Sequence, residues 1–493
     1  MNYILAIDQG TSSTKTIVFD ENGQAVAKGS VDLKTNYSGN GFVEQVPEDI
    51  FQNVLESVRE CIDNFSTGGF DLSDIVSCGI SNQRETFVLW DEKGEPLSPA
   101  VVWACKRSIR ICEELRSIGQ EELIRQSTGL IIDPYFSGTK LLWLIQHDPA
   151  LREKLEKGEV FFGTVDTWLL FRLTGGKQFR TDYTNASRTL LFNIHTLSWD
   201  KEILELWGIE KLHLPEVCPS SFDFGKSDFQ GIFSHEMPVT AMIGDSHAAT
   251  FGEGCFEKGN AKVTLGTGSS IMMNTGEKPV ASANGMLTTI CWSTGSQVNY
   301  ALEGAIVSCG STIEWLKNEL NLFTDPKETE QMAGAVEDNG GVYLVPAFSG
   351  LGAPHWQMSR KASIEGLTFG ATKNHIVRAA LESIPYQIRD VTEAMKQDIG
   401  SPLRAISVNG GMTQNRFVIR FLADLLGLEL RKLQTPDVSA LGAAYLSGLQ
   451  SGVFKSLSQL SEINGSHTET ILPDSDNKAI LTFYEGWKEK IRG

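Results

Sequence analysis

Two turns built from the same residue types stand in opposite halves of the chain: Asp8-Gln9-Gly10-Thr11-Ser12-Ser13 and Leu265-Gly266-Thr267-Gly268-Ser269-Ser270. Each lies between two short apolar runs, the pattern of strand, tight polar turn and strand. Glycines, hydroxyls and backbone N–H groups in such a turn let an anion come close. Taken singly, each reads as an ordinary hairpin. Taken together, they suggest one phosphate chain held between two related lobes. In a third stretch, Ser407 to Asn415, an apolar run ends in Gly410-Gly411 and a polar helix start follows. The glycines there admit an adenine or ribose that Asn415 can hydrogen-bond; the simpler role of Asn415 is an N-cap. Asp245 closes the run Val239 to Gly244 and precedes the small residues Ala248-Ala249. A carboxylate so placed can take the proton of an attacking alcohol, or cap the helix that follows. The chemistry these residues suit together is phosphoryl transfer, which needs a positioned hydroxyl, a base and charge neutralisation.

Bulk properties narrow the partners. The chain has 493 residues, 41% of them hydrophobic, enough for roughly two to four domains and a large core. Its net charge of −18 disfavours nucleic acid and anionic membranes. A bound nucleotide would therefore need local help from amides, a few cations and a metal ion. The eight cysteines form no C-x-x-C pair and scatter as buried free thiols do in a reducing compartment. The histidines lack metal-ligand spacing. No apolar run is long enough to span a bilayer, and the amino terminus lacks the basic region of a secretory signal. The expected location is the cytoplasm and the expected partner a small molecule.

The elements that must position these residues follow from periodicity. Residues 3–35 read as a meander, with Asp20-Glu21-Asn22-Gly23 as a hairpin turn. An amphipathic helix is predicted over about 48–64, with Ile50, Val54, Leu55, Val58 and Ile62 on one face. A strand at Ile75 to Ile80 delivers Asn82-Gln83-Arg84-Glu85 at its end. Helices are predicted at about 107–118 and 165–173, and Leu212 to Gly231 reads as loop. The second half repeats the opening: a strand to Ile243, hairpins at 261–274 and 286–302, then helices at about 310–320, 374–397 and 438–450. The tail after Ser456 carries few signals. Strands alternate with helices throughout, so the class is α/β: two lobes, 1–245 and 246–493, with a cleft between them, where ligands favour binding.

No Walker A is present, since Gly175-Gly176-Lys177 is followed by Gln178, and no Rossmann fingerprint opens a helix. The two turns and the Gly-Gly segment instead resemble the phosphate and adenosine elements of the actin-like (ribonuclease H-like) ATPases. More narrowly, the chain resembles the FGGY carbohydrate kinases, closest to their glycerol-phosphorylating branch. The stretches that carry this likeness span nearly the whole chain. They are Ile80-Ser-Asn-Gln-Arg-Glu-Thr86, Ile132-Asp-Pro-Tyr-Phe-Ser-Gly-Thr-Lys140, Phe162-Gly-Thr-Val-Asp-Thr-Trp168, Thr181-Asp-Tyr-Thr-Asn-Ala-Ser-Arg188, Asn299-Tyr-Ala-Leu-Glu-Gly304 and Val345-Pro-Ala-Phe-Ser-Gly-Leu-Gly-Ala-Pro354.

The resemblance implies ATP-dependent phosphorylation of a small polyol, with glycerol the default acceptor. Asp245 becomes the general base. Asp8 would hold Mg²⁺ through water, since magnesium keeps much of its hydration shell. Thr11, Ser12 and Ser13 would donate to phosphate oxygens, and Lys15 would add charge where the family carries Arg. Thr267, Gly310, Gly411 and Asn415 would line the nucleotide side. Arg84 and Glu85 would read adjacent hydroxyls, as a fixed cation and carboxylate side by side can. An isolated Arg-Glu of this kind is otherwise a surface ion pair. Trp103 and Tyr135 would form a wall for the carbon chain, although either could be a core aromatic. Family members form dimers or tetramers, so a homodimer or homotetramer is expected.

Three departures from the family pattern stand out. The branch carries Asp-Gln-Gln where this chain has Asp245-Ser246-His247, and its second turn ends in Phe where this chain has Ser270. Both changes enlarge the acceptor pocket and make it more polar, unless His247 refills it. A four- or five-carbon polyol or ketose is therefore the alternative acceptor. Pro385, where the family has Ala, should kink the helix at 374–397. An actin-type chaperone or cytoskeletal ATPase, or an inactive sugar sensor, would leave the acceptor motifs or the two acids unexplained.

Overall fold

The computed structural model describes residues 1–357, 359–474 and 478–492. The opening meander is antiparallel: Tyr3–Gln9 pairs with Ser13–Phe19, which pairs with Ala25–Asp32. Gly23, at φ +71°, closes the second turn of the meander, as Asn-Gly turns require. Ile75–Asn82 and Met237–Gly244 then add in parallel on the other side of Tyr3–Gln9. The sheet order is therefore 226–227, 237–244, 75–82, 3–9, 13–19 and 25–32.

The second lobe repeats this plan. Asn260–Leu265 pairs antiparallel with Ser269–Gly276, which pairs with Gln297–Ile306. Ala405–Asn409 and Leu430–Leu433 add in parallel. Leu287–Thr294 and Thr468–Ile471 extend the two edges.

Helix Pro47–Thr67 starts on a proline at its first turn and buries Ile50, Val54, Leu55, Val58 and Ile62, the face its periodicity predicts. The predicted helices appear as Ile109–Ser117, Val165–Leu173, Gly310–Asn318, Lys373–Ile399 and Val438–Ser451. The last of these belongs to the second half of the chain yet packs on the first sheet. A Cβ on Gly79 of that sheet would stand 2.3 Å from the Ala443 carbonyl, and one on Gly442 would stand 1.9 Å from that of Ala248. Glycine at these positions lets helices Asp245–Gly252 and Val438–Ser451 cross backbone to backbone. The interface between the lobes is thus built from small residues.

Some expectations are corrected. Leu212 to Gly231 is mostly loop but contributes the short strands Glu216–Cys218 and Lys226–Ser227. The tail forms helices Leu457–Gly465 and Lys478–Arg492, and the second buries Trp487 against Tyr386. Helix Lys373–Ile399 continues through Pro385, whose missing N–H leaves the Leu381 carbonyl without its usual donor. A five-stranded sheet inserted in the first lobe has the order 36–37, 43–45, 100–101, 87–90 and 161–164. It carries helices Ser137–His147 and Pro149–Lys157 around its own core of Phe87, Leu89, Phe136, Leu141 and Phe162. This insertion supplies Trp103 and Tyr135. No helix among the described residues is long and apolar enough to cross a membrane. All eight cysteines are free and buried.

Candidate active site

Parallel strands present their carboxyl ends to one edge of a sheet, and ligands bind there. Asp8, Ser81 and Ile243 lie side by side in three adjacent strands, so Asp8 and Asp245 emerge at the same edge. Asp8 is held by Ser81 Oγ, which donates to it at 3.0 Å. Burial, and then the nearby Asp245 charge, push the Asp8 carboxyl up to about 6. Asp245 opens helix Asp245–Gly252, with Gly244 as the N-cap residue. Its Oδ1 accepts from its neighbour's amide, Ser246 N, at 2.6 Å and lies 3.2 Å from Arg84 Nε. Its side chain remains 41% exposed, so the carboxylate is anchored on one side and open on the other. The helix N-terminus favours its charge.

Behind Asp245 runs a buried ionic network. Arg84 Nη1 donates to Glu303 Oε1 at 2.9 Å, and Arg188 Nε donates to Glu85 Oε1 at 2.6 Å. Arg188 Nη1 lies 2.6 Å from Glu303 Oε2 as an ion pair without hydrogen-bond alignment. Burial opposes the Glu303 charge, but Arg188 and Arg84 outweigh it and hold this carboxyl far below the usual range. Glu85 adopts φ +60°, a left-handed conformation that costs a non-glycine residue on the order of 1–3 kcal/mol and that surrounding structure must enforce. Arg84 and Glu85 are therefore not a surface ion pair: both are buried, and each pairs with a different partner.

Trp103 Nε1 donates to Thr11 Oγ1 at 2.9 Å, and the Trp103 and Tyr135 rings meet edge to face at 5.7 Å. The first phosphate turn and the aromatic wall are thus joined. The Thr11 hydroxyl also donates to Gln83 Oε1 at 3.3 Å, so it braces the turn. Gly10 N–H donates to the Ser13 carbonyl, while Ser12 is exposed at the tip. Lys15 is paired with Asp437 at 3.2 Å, and Lys28 holds the other oxygen of that carboxylate at 2.7 Å. In the second lobe Gly310 N–H donates to the Gly266 carbonyl, and a Cβ on Gly410 would lie 2.4 Å from the Leu265 carbonyl. The second turn, Gly310 and the Gly410-Gly411 loop therefore cluster, with Thr267 and Gly411 exposed. Asn415 caps helix Arg416–Leu426 through Val418 N–H and donates to Thr329 Oγ1, which is the simpler of its two predicted roles.

Ser270 Oγ is buried without a hydrogen-bond partner, as are both ring nitrogens of His247. Burial, and then the Arg84 charge, hold the His247 imidazole neutral. His247 faces the Gly244 backbone and the Arg84 stem, so it fills space beneath Arg84. Sequence reasoning passed over Glu303, Arg188 and Lys140 as site residues. A charged residue in the apolar strand Gln297–Ile306 was the available signal for Glu303.

Asp8 and Asp245 would suit a hydrated magnesium ion, with Asp8 as the group that would hold it. Among the described residues no group of three or more His, Cys, Asp or Glu could hold a metal ion. Two mutually repelling acids, one of them buried, are what a hydrated divalent cation on a polyphosphate would neutralise. With the Asp8 carboxyl raised to about 6, a metal bound there would displace a proton at that pH. Binding of Mg²⁺ with ADP at pH 6 should release up to about half a proton and at pH 8 almost none. Titration calorimetry in two buffers of different ionisation enthalpy measures this; equal heats at pH 6 would remove Asp8 from the metal site.

Comparison with known proteins agrees with this geometry. The profile of the FGGY carbohydrate kinase N-terminal domain matches residues 3–252, and that of the C-terminal domain matches residues 261–451. The glycerol kinase of Thermoanaerobacter sp. (strain X514) is 46% identical over 490 residues, covering 99% of this chain and 98% of its own. Glycerol kinase 2 of Thermotoga maritima is 45% identical over 492 residues, covering 100% and 98%. The crystal structure of Plasmodium falciparum glycerol kinase with ADP superposes with a TM-score of 0.94 at 35% identity, covering 100% of this chain and 98% of that one. The xylulose kinase of Lactobacillus acidophilus, at 21% identity and a TM-score of 0.87, shares the fold. With two actin-like lobes, paired glycine turns and an acid at the head of the helix between them, the chain belongs to the FGGY family of carbohydrate kinases.

Proposed function

We propose that this protein transfers the γ-phosphoryl group of ATP to a primary hydroxyl of glycerol, giving glycerol 3-phosphate and ADP. The observation that carries this reading is Asp245: an exposed carboxylate, fixed by Arg84 at 3.2 Å and standing beside Asp8 at the carboxyl edge of the first sheet. Asp245 accepts the proton of the attacking hydroxyl. Arg84 and Glu85 orient the neighbouring hydroxyls, and Trp103 and Tyr135 flank the carbons. Glycines 10, 266, 310 and 411, with Thr11, Ser12, Ser13, Lys15 and Thr267, receive the nucleotide. Asp8 would hold hydrated Mg²⁺, which supplies charge neutralisation on the β- and γ-phosphates. The lobes 1–245 and 246–493 close on both substrates to keep water from acting as acceptor. Support comes from the relatives named for glycerol and from a solved relative with ADP.

A second reading rests on Ser270 and Ser246. The unpartnered Ser270 hydroxyl would suit one more substrate hydroxyl, so a four- or five-carbon polyol or ketose is the alternative acceptor. An ADP-coupled assay across glycerol, erythritol, threitol, ribitol, xylitol and the common ketoses decides between them. Glycerol should lead by about tenfold or more in kcat/KM. A longer polyol in first place would establish the second reading, and no turnover of any would refute both.

A further inference from the structure

Lys140 is fully buried in the first turn of helix Ser137–His147. Its ammonium donates to three carbonyls: Trp103 O at 3.3 Å, Pro134 O at 3.1 Å and Tyr135 O at 2.6 Å. All three of its donors are thereby used. Two of those carbonyls belong to the residues whose rings meet edge to face at 5.7 Å. They sit on separate segments: Trp103 follows strand Ala100–Val101, and Tyr135 precedes helix Ser137–His147. No hydrogen bond joins the two rings, and their mutual contact alone is worth only about 0.5–1.5 kcal/mol.

The other hydrogen bonds of Trp103 and Tyr135 run to third residues. Trp103 donates its indole N–H to the Thr11 hydroxyl at 2.9 Å and its backbone N–H to Thr86 Oγ1 at 3.2 Å. Tyr135 N–H is held by Asp133 Oδ1 at 2.9 Å. Lys140 is thus the group that fixes the two walls to each other. It also adds a cation beside the buried network, in which Arg84 and Arg188 face Glu85 and Glu303. Burial works against this charge and pushes the ammonium down to about 7, with Glu85 as the largest opposing influence. A lysine retained at that cost, with carbonyls for partners and no contact with the expected reacting atoms, has a positional use.

We infer that Lys140 is a positioning residue for the acceptor: its three carbonyl bonds set the position of Trp103 relative to Tyr135, and so the shape of the wall against which the polyol carbons lie. This inference rests on the function proposed above. It concerns chiefly the acceptor, because none of the three carbonyls lies on a nucleotide loop; the indole bond to Thr11 joins this wall to the first phosphate turn.

The test compares Lys140→Met, which keeps the stem and loses the donors, with Lys140→Gln, which keeps an amide donor on a shorter stem. Each is assayed with whichever polyol the parent enzyme uses best, so an error in the acceptor's identity does not bear on the outcome. Acceptor KM should rise about 10- to 100-fold in Lys140→Met and less in Lys140→Gln, since misplacing a positioning group by about 1 Å costs that much. The Kd for ADP, measured by calorimetry without acceptor, should stay within about twofold, because only ground-state acceptor binding is disturbed. Acceptor KM unchanged in both variants would overturn the inference. So would ADP affinity falling in step with acceptor affinity, or failure of both variants to fold, either of which makes Lys140 a general structural residue.

Discussion

An Asp245→Asn enzyme is expected to turn over roughly a thousandfold more slowly than the parent, the usual weight of a positioned general base. The substitution keeps the size and the hydrogen bond from Ser246 N–H, but an amide oxygen is a far weaker proton acceptor. Loss of the charge also frees Arg84 Nε, although Arg84 retains Glu303 at 2.9 Å, so the network behind the base should persist. ADP affinity should change little, because the nucleotide loops lie on other strands. One consequence acts in the opposite direction. Asp245 is the second cause, after burial, of the raised Asp8 carboxyl, so in Asp245→Asn the pKa of Asp8 should fall. Single-turnover rates and ADP calorimetry check both statements. A variant retaining more than about a tenth of parental kcat would remove Asp245 as the base.

The second large effect is expected at Arg188. Its side chain is fully buried and touches Glu85 at 2.6 Å and Glu303 at 2.6 Å. Arg188→Met leaves Glu85 without the cation hydrogen-bonded to it in a fully buried site. Breaking a buried pair from one side costs about 3–5 kcal/mol, most of it the stranded charge. The urea midpoint should fall accordingly at unchanged slope. A double variant, Arg188→Met with Glu85→Gln, should recover part of the loss, since the second change removes the carboxylate that the first one strands. A single variant within about 0.5 kcal/mol of the parent would show that water enters this site and screens the charge. The same network fixes Arg84, so acceptor affinity should fall together with stability.

Much of the site was legible before any coordinates. The glycine turns, Asp8, Asp245 and the Gly410-Gly411 loop are signalled by short-range chemistry: apolar runs that stop abruptly at glycine and an acid. Such signals survive because strand ends and turns are local features. Asn415 shows the limit of that reading, since one side chain suited two roles, of which the fold displays the cap. Lys15 shows it again: its charge was legible, but its pairing with Asp437, more than four hundred residues later, was not.

The inserted sheet and the terminal helices were harder to see. The sheet's strands are two to four residues long, too short to establish a period, and they pair across long intervals. Helix Lys478–Arg492 buries Trp487 only because Tyr386 of a distant helix is there to receive it.

Residue type and spacing alone determined the fold class, the duplicated lobe, the two glycine turns and the acid that ends a strand between them. These follow from backbone preferences acting over a few residues. Tertiary structure alone decided which charges are buried and whom they face: Glu303 against both arginines, Lys140 on three carbonyls, His247 beneath Arg84. A charge looks the same in a sequence whether water or protein surrounds it. Only the packing of elements far apart in the chain removes the water and sets each partner in place.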